Sequence, residues 1–172
     1  FHHSVYAVAG SFSQYQLGLR SGFSTRKWYV AVNGFGQSAK NHFNYTDGGL
    51  TRKMSNASLS SGVGLLQVAY KADSRNTISL TGWYQQYYRE VPRALFESVS
   101  VKNQRDESLR LLADWNRNGK AVQASAKLSY IKDYMQYRDT LALLNTKNAS
   151  NQLYAEVAAR FAVGKRHRIM IM

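Results

Sequence analysis

The four histidines, His2, His3, His42 and His167, are the first candidates for metal or proton chemistry. None has a useful partner three or four residues on, and no carboxylate cluster accompanies them, so a zinc-type site is not expected. Asp133 and Asp139 are a second candidate, because paired acids hydrolyse glycosides. That chemistry needs a fixed separation in a cleft, and the stretch carrying both acids reads as loop. Serine is common, but no nucleophile elbow or glycine-rich phosphate loop surrounds any of them. The chain is therefore not expected to be an enzyme, to hold a metal or to need a cofactor. What remains is recognition. Phe43, Tyr45, Tyr84, Tyr88, Arg89, Tyr134 and Tyr137 sit where strand-like runs give way to polar stretches, and they are the expected ligand contacts. Interstrand packing and loop folding compete with that role, and His42 shares the first of those polar stretches.

Whatever positions these residues is built from strands. The organising run is Arg75 to Pro92, in which Ile78 and Leu80 oppose Thr77, Ser79 and Thr81 with the two-residue period of a strand. Trp83, Tyr84, Tyr87 and Tyr88 crowd its far end, and Pro92, which cannot donate to a ladder, stops it. At about 14 residues it exceeds the usual soluble strand and suffices to cross an outer membrane. Similar alternation recurs elsewhere. Tyr15, Leu17 and Leu19 oppose Gln16, Gly18 and Arg20. Trp28, Val30 and Val32 oppose Asn33. Leu59, Val63, Leu65 and Ala69 share parity against Ser60, Gly62 and Gly64, though Leu66 and Val68 weaken the contrast. Leu109, Leu111, Ala113 and Trp115 oppose Ser108, Arg110 and Asp114, and Val122 to Tyr130 continues the pattern. The cleanest run sets Leu153, Ala155, Val157, Ala159, Phe161 and Val163 against Gln152, Tyr154, Glu156 and Arg160.

About nine strands result, at 4–13, 14–21, 28–37, 57–70, 76–89, 107–116, 120–132, 151–163 and 168–172. Short turns are expected near 22–27, 71–76, 116–120 and 164–167, the third built around Asn118-Gly119. Long connections are expected near 38–56, 89–105 and 133–150. Short and long alternate, as they do between the two rims of an outer-membrane barrel. Trp28, Tyr70 and Trp115 beside the short turns, with the tyrosines towards a long one, suit the two interfaces of a bilayer. The long connections keep large aromatics beyond the strands, so selectivity is expected at the long-loop rim, in residues 40–56, 84–105 and 133–150.

Composition sets bounds. The 172 residues include no cysteine and one proline, which removes disulfide scaffolds and thiolate metal sites. No apolar run suffices for a transmembrane helix. The net charge of +13 comes from 23 Lys plus Arg against 10 Asp plus Glu. These charges are scattered among turns rather than gathered on one element, and no zinc-finger or RNA-binding signature occurs, so nucleic acid is not an expected partner. An odd count of strands with open edges in lipid would leave backbone groups unpaired, so further strands are expected on both sides of this chain.

At this point the sequence resembles a known family. GSFSQYQLGLRSG at 10–22 resembles the opening barrel strands of TonB-dependent outer-membrane receptors. SLTGWYQQYYREVP at 79–92, followed by NQRDESLRLLADWN at 103–116, is similar to a run in such receptors from Bacteroidetes-type bacteria, and NQLYAEVAARFAVGKRHRI at 151–169 fits a membrane strand, a turn and the next strand. The resemblance implies that residues 1–172 form part of an antiparallel transmembrane β-barrel, 22-stranded when whole, with short periplasmic turns and long extracellular loops. It implies a location in the bacterial outer membrane and uptake of a scarce nutrient, such as an iron chelate, cobalamin or another metal complex, with TonB-supplied energy. Its partners would be membrane lipid, its own plug domain, the remaining strands, TonB and the nutrient; the plug and the later strands are absent from this sequence. A passive outer-membrane pore or structural barrel is the alternative, and a soluble β-rich binding protein the second.

Overall fold

The computed structural model describes residues 2–94, 96–163 and 167–171. Alternating side chains and short polar turns fold into one antiparallel meander. Its strands are β1 (His2–Gly10), β2 (Gln14–Ser24), β3 (Trp28–Ala39), β6 (Leu59–Lys71), β7 (Asn76–Val91), β8 (Lys102–Asn118), β9 (Val122–Asp139), β10 (Leu144–Val163) and β11 (His167–Ile171). They pair in that order, and the end strands β1 and β11 do not meet, so the sheet is open. A separate hairpin, β4 (Asn44–Asp47) and β5 (Leu50–Lys53), rises from the β3–β6 connection. A single-residue slip would turn every side chain to the other face. The observed pairings avoid this by keeping apolar residues opposite apolar residues, as in Leu80–Ala113, Ala113–Leu128 and Leu128–Ala155.

The two faces differ sharply. One carries Leu17, Val32, Leu66, Leu80, Leu111, Leu128 and Val157, and the other carries Arg20, Asn33, Gln67, Thr81, Arg110, Lys127 and Glu156. Among the described residues nothing covers the apolar face. Leu153 is 72% exposed and Val157 69%, while the buried hydrophobic residues among those described are three alanines, Ala31, Ala39 and Ala57.

The apolar band runs obliquely across the strands. On β2 and β3 it ends at Phe23 and Trp28, next to the first short turn. On β9 and β10 it spans Val122–Tyr130 and Leu153–Phe161, and Lys132 and Asn151 on the same face lie beyond it. Measured along the paired rows, the tips of the three described short hairpins, 25–27, 72–75 and 119–121, shift in the same direction by about two residues per hairpin. Such a stagger is the register offset of a sheet whose strands tilt.

Several expectations need correction. The period-two split on β6 is present, but Leu59, Val63, Leu65 and Ala69 lie on the polar face. Leu66, Val68 and Tyr70 join the apolar one, because Val32 pairs with Leu66 and Trp28 with Tyr70. The stretch 133–150 is not a long loop. β9 runs on to Asp139 and β10 starts at Leu144, leaving a four-residue connection, 140–143. Likewise β7 and β8 reduce the second long connection to 92–101. The polar composition marked strands leaving the apolar band, not strands ending. Short and long connections therefore do not alternate strictly, because 11–13 and 140–143 are short and share a rim with 40–58 and 92–101. The fourth turn, expected at 164–167, has residues 164–166 outside the described residues.

Candidate functional site

The long-connection rim is held by a polar knot. Asn56 takes the left-handed conformation, φ 53°, which suits asparagine. Its amide donates to the carbonyls of Val91 and Lys102, both at 2.8 Å, and reaches Ser100 Oγ at 3.2 Å. The buried Ser100 hydroxyl donates to Val91 O at 2.6 Å. Glu90 accepts the Ser58 N–H at 2.9 Å and donates its own N–H to Ser58 O at 2.8 Å. These bonds close the foot of the 92–101 connection against the start of β6.

Above the knot, the β4–β5 hairpin leans on the same connection. It turns through Gly48 and Gly49, φ 57° and 79°, the double positive φ that a two-residue hairpin turn demands. Arg93 donates to Tyr45 Oη at 2.8 Å and to Glu97 O at 2.7 Å, and pairs with Asp47 at 3.2 Å. Glu97 pairs with Lys102 and accepts the Ala94 N–H. The Lys102 ammonium, then that N–H, hold the Glu97 carboxyl below the usual range, and Glu97 raises Lys102 in return. At the hairpin's base Phe43 meets Phe12 edge to face, with centroids 5.9 Å apart.

The seven expected contact residues are not brought together. Phe43 and Tyr45 belong to this loop assembly. Tyr84, Tyr88 and Tyr134 lie on the apolar face, with Tyr84 and Tyr88 exposed. Arg89 and Tyr137 lie on the polar face, and Arg89 donates to Gln104 Oε1 at 2.7 Å. Asp133 and Asp139 share β9 rather than a loop. They stand six positions apart, roughly 20 Å along a strand, which is too far for one glycosidic bond. Asp139 is buried, accepting the Leu141 and Ala142 N–H groups in its own turn. Among the described residues no group of three or more His, Cys, Asp or Glu could hold a metal ion, and no helix is long and apolar enough to cross a membrane.

The polar face has its own relief. A groove of about 630 Å³ runs past Tyr6, Arg20, Asn33, Phe35, Leu65 and Trp83. Arg20 donates to Asn33 Oδ1 at 3.0 Å, and the Arg110 guanidinium sits 5.2 Å from the Trp83 ring. Apolar residues in a groove on the polar face, flanked by cations, can take a molecule with an apolar body. Sequence reasoning passed over Asn56, Ser100 and the Gly48-Gly49 hairpin. The glycine pair between NYTD and LTRK was a visible hairpin signal, whereas nothing local marks Asn56, whose partners are 35 and 46 positions away.

Compared with known proteins, the chain matches no family model and no curated protein.

Proposed function

We propose that this chain is part of an outer-membrane β-barrel that imports a scarce nutrient, a metal chelate or cobalamin, in the manner of TonB-dependent receptors. The observation that carries the membrane reading is the uncovered apolar face. A sheet must bury such a face against something, and a patch spread over most of nine strands far exceeds what water-soluble proteins expose. Lipid supplies that cover, while the polar face then lines a wet lumen. Leu153–Phe161 is nine residues long, the length of a tilted membrane strand. The oblique band supports the same reading, since tilted strands cross a flat slab obliquely. The importer reading rests on the sequence resemblance and on the ordered rim, which offers loops on a rigid scaffold. Ligand charge is not part of the proposal, because Arg93 is ion-paired to Asp47 and Arg105 to Glu107.

Uptake separates the possibilities. Cells making the gene product that contains these residues should accumulate a labelled iron chelate or cobalamin, and an uncoupler should abolish accumulation. Entry that ignores the uncoupler indicates a passive pore. Recovery of the gene product in the soluble fraction without detergent ends the membrane reading as well.

A further inference from the structure

On the polar face, four strands bring oxygen donors to one spot. Ser108 on β8 is paired with Asp133 on β9, which is paired with Ser150 on β10, and Gln85 on β7 completes that row. In the adjacent row Asp106 is paired with Met135 and Met135 with Asn148. Asp106 and Asp133 are thus diagonal neighbours on one face, with Cβ atoms roughly 7 Å apart. The carboxylates can lean across that diagonal to meet one ion, and Ca²⁺–oxygen bonds of about 2.3–2.6 Å fill the remaining gap.

Two acids on a wet face are not by themselves a site. The independent observation is Ser108. It is 7% exposed, it lines the groove of about 270 Å³ that Asp106 and Asp133 also line, and its Oγ is the buried side-chain polar atom left without a hydrogen bond among the described residues. Buried hydroxyls are normally satisfied, and one that is not asks for a missing partner. The surroundings leave the acids available. Arg110, the nearest cation diagonal to Asp133 on this face, is drawn the other way, over the Trp83 ring at 5.2 Å. No ion pair holds Asp133 or Asp106 among the described residues. Gln104 donates to both oxygens of Asp106, at 3.0 and 2.9 Å, and itself accepts from Arg89, so Asp106 is oriented without being neutralised. Met135 offers a thioether that suits no hard ion and serves as a wall.

From this arrangement we infer a binding site for a hard divalent cation of the Ca²⁺ type, held by the carboxylates of Asp106 and Asp133 and the hydroxyl of Ser108. Amide and hydroxyl oxygens of Asn148 and Ser150 stand next in reach. Flexible, oxygen-only coordination favours Ca²⁺ over Mg²⁺, which demands near-ideal octahedral geometry. The site depends only on the sheet's polar face, whatever covers the apolar one. Tyr87, paired with Asp106 on the same face, gives a built-in reporter.

Terbium replaces calcium and glows when a nearby tyrosine is excited. The folded full chain should show saturable Tb³⁺ luminescence through tyrosine excitation, displaced by Ca²⁺, and Ca²⁺ should raise its thermal midpoint by mass action. Asp133→Asn and Asp106→Asn should each weaken binding by roughly tenfold or more, since charge count sets affinity. Ser108→Ala, which keeps both charges, should weaken it by a smaller factor. Asp114→Asn, an acid elsewhere on the same face, should bind as the parent does. Luminescence unchanged in Asp133→Asn and Asp106→Asn overturns the site, and so does equal loss in Asp114→Asn, which would mark diffuse attraction to a charged face. Where Asp133→Asn does not fold, Asp133→Glu and Ser108→Ala carry the same decision: parent-like binding in both overturns it.

Discussion

At the scale of single residues, the same turn can be read correctly for an incomplete reason. The sequence NRNGK marks a reversal at 116–120, and β8 does give way to β9 there. Yet Gly119 is not among the positive-φ residues, and Asn118 still belongs to β8. The glycine is required by crowding instead: a Cβ at 119 would stand 2.5 Å from the carbonyl oxygen of Val122, which is backbone and cannot swing away. Gly119→Ala should therefore cost about 1–3 kcal/mol, the usual toll of forced overpacking, read as a lowered unfolding midpoint. A second such residue is Asp73 in the 72–75 turn. Its carboxylate accepts the Arg75 N–H at 2.6 Å, the Asn76 side-chain amide at 2.7 Å and the Asn76 N–H at 2.8 Å. Those donors, Arg75 first, hold its pKa below the usual carboxylate range. A depressed acid adds stability that is complete above its unfolded pKa and lost as pH falls through the folded one. NMR titration of Asp73 should give a midpoint under the ordinary value, and Asp73→Asn, which retains an acceptor oxygen, should flatten this part of the acid limb. An ordinary midpoint would mean that the turn does not hold the carboxylate.

At the scale of elements, alternation told most of the story where one face is uniformly apolar, as on β8, β9 and β10. It failed on β6, where Leu59, Val63 and Leu65 on one parity compete with Leu66 and Val68 on the other, and only pairing with β3 decides the face. Strand ends failed for a different reason. Asp133 to Ser150 is polar because β9 and β10 continue beyond the apolar band, and hydrogen bonding between neighbours, not hydropathy, keeps them extended. The rim knot was illegible because it is assembled from segments far apart in sequence. Asn56 is its centre, bonded to Val91 O, Lys102 O and Ser100 Oγ. Asn56→Asp keeps size and tolerance of positive φ but removes the donors to Val91 O, Lys102 O and Ser100 Oγ. Val91 O keeps its bond from Ser100 Oγ, so the loss falls on the part-buried Lys102 O. The substitution should loosen the 92–101 connection by about 1–3 kcal/mol, the cost of an acceptor left unpaired, seen as faster limited proteolysis within 92–101 while the β8–β9 hairpin stays protected. Equal proteolysis of both would show that Asn56 supports the whole sheet rather than the rim.

At the scale of the whole molecule, the question is what lies against the apolar face and at what angle the strands meet it. An apolar cover of any kind makes the first of two predictions, and a lipid cover alone makes the second. First, Val157→Arg, at the middle of the Leu153–Phe161 stripe, should cost about 2–4 kcal/mol, whereas Arg160 already stands on the opposite face at no such cost. Second, depth should change along a ladder row. Val30, Val68, Leu80, Ala113, Leu128 and Ala155 are paired in succession and share the apolar face. In a sheet standing upright in the bilayer they would lie at one depth. Here Val30 is two residues from Trp28 at its strand's short-turn end, while Ala155 is two residues from Leu153 at the opposite limit of its stripe. Strand tilt should therefore carry the row from one interface of the membrane towards the other. Spin labels placed singly at these six positions, read by the ratio of oxygen to nickel-chelate collision rates, should give a steady progression of depth from Val30 to Ala155. A uniform depth would refute the tilt, and labels reached equally by both reagents would place the face in water, with no membrane against it.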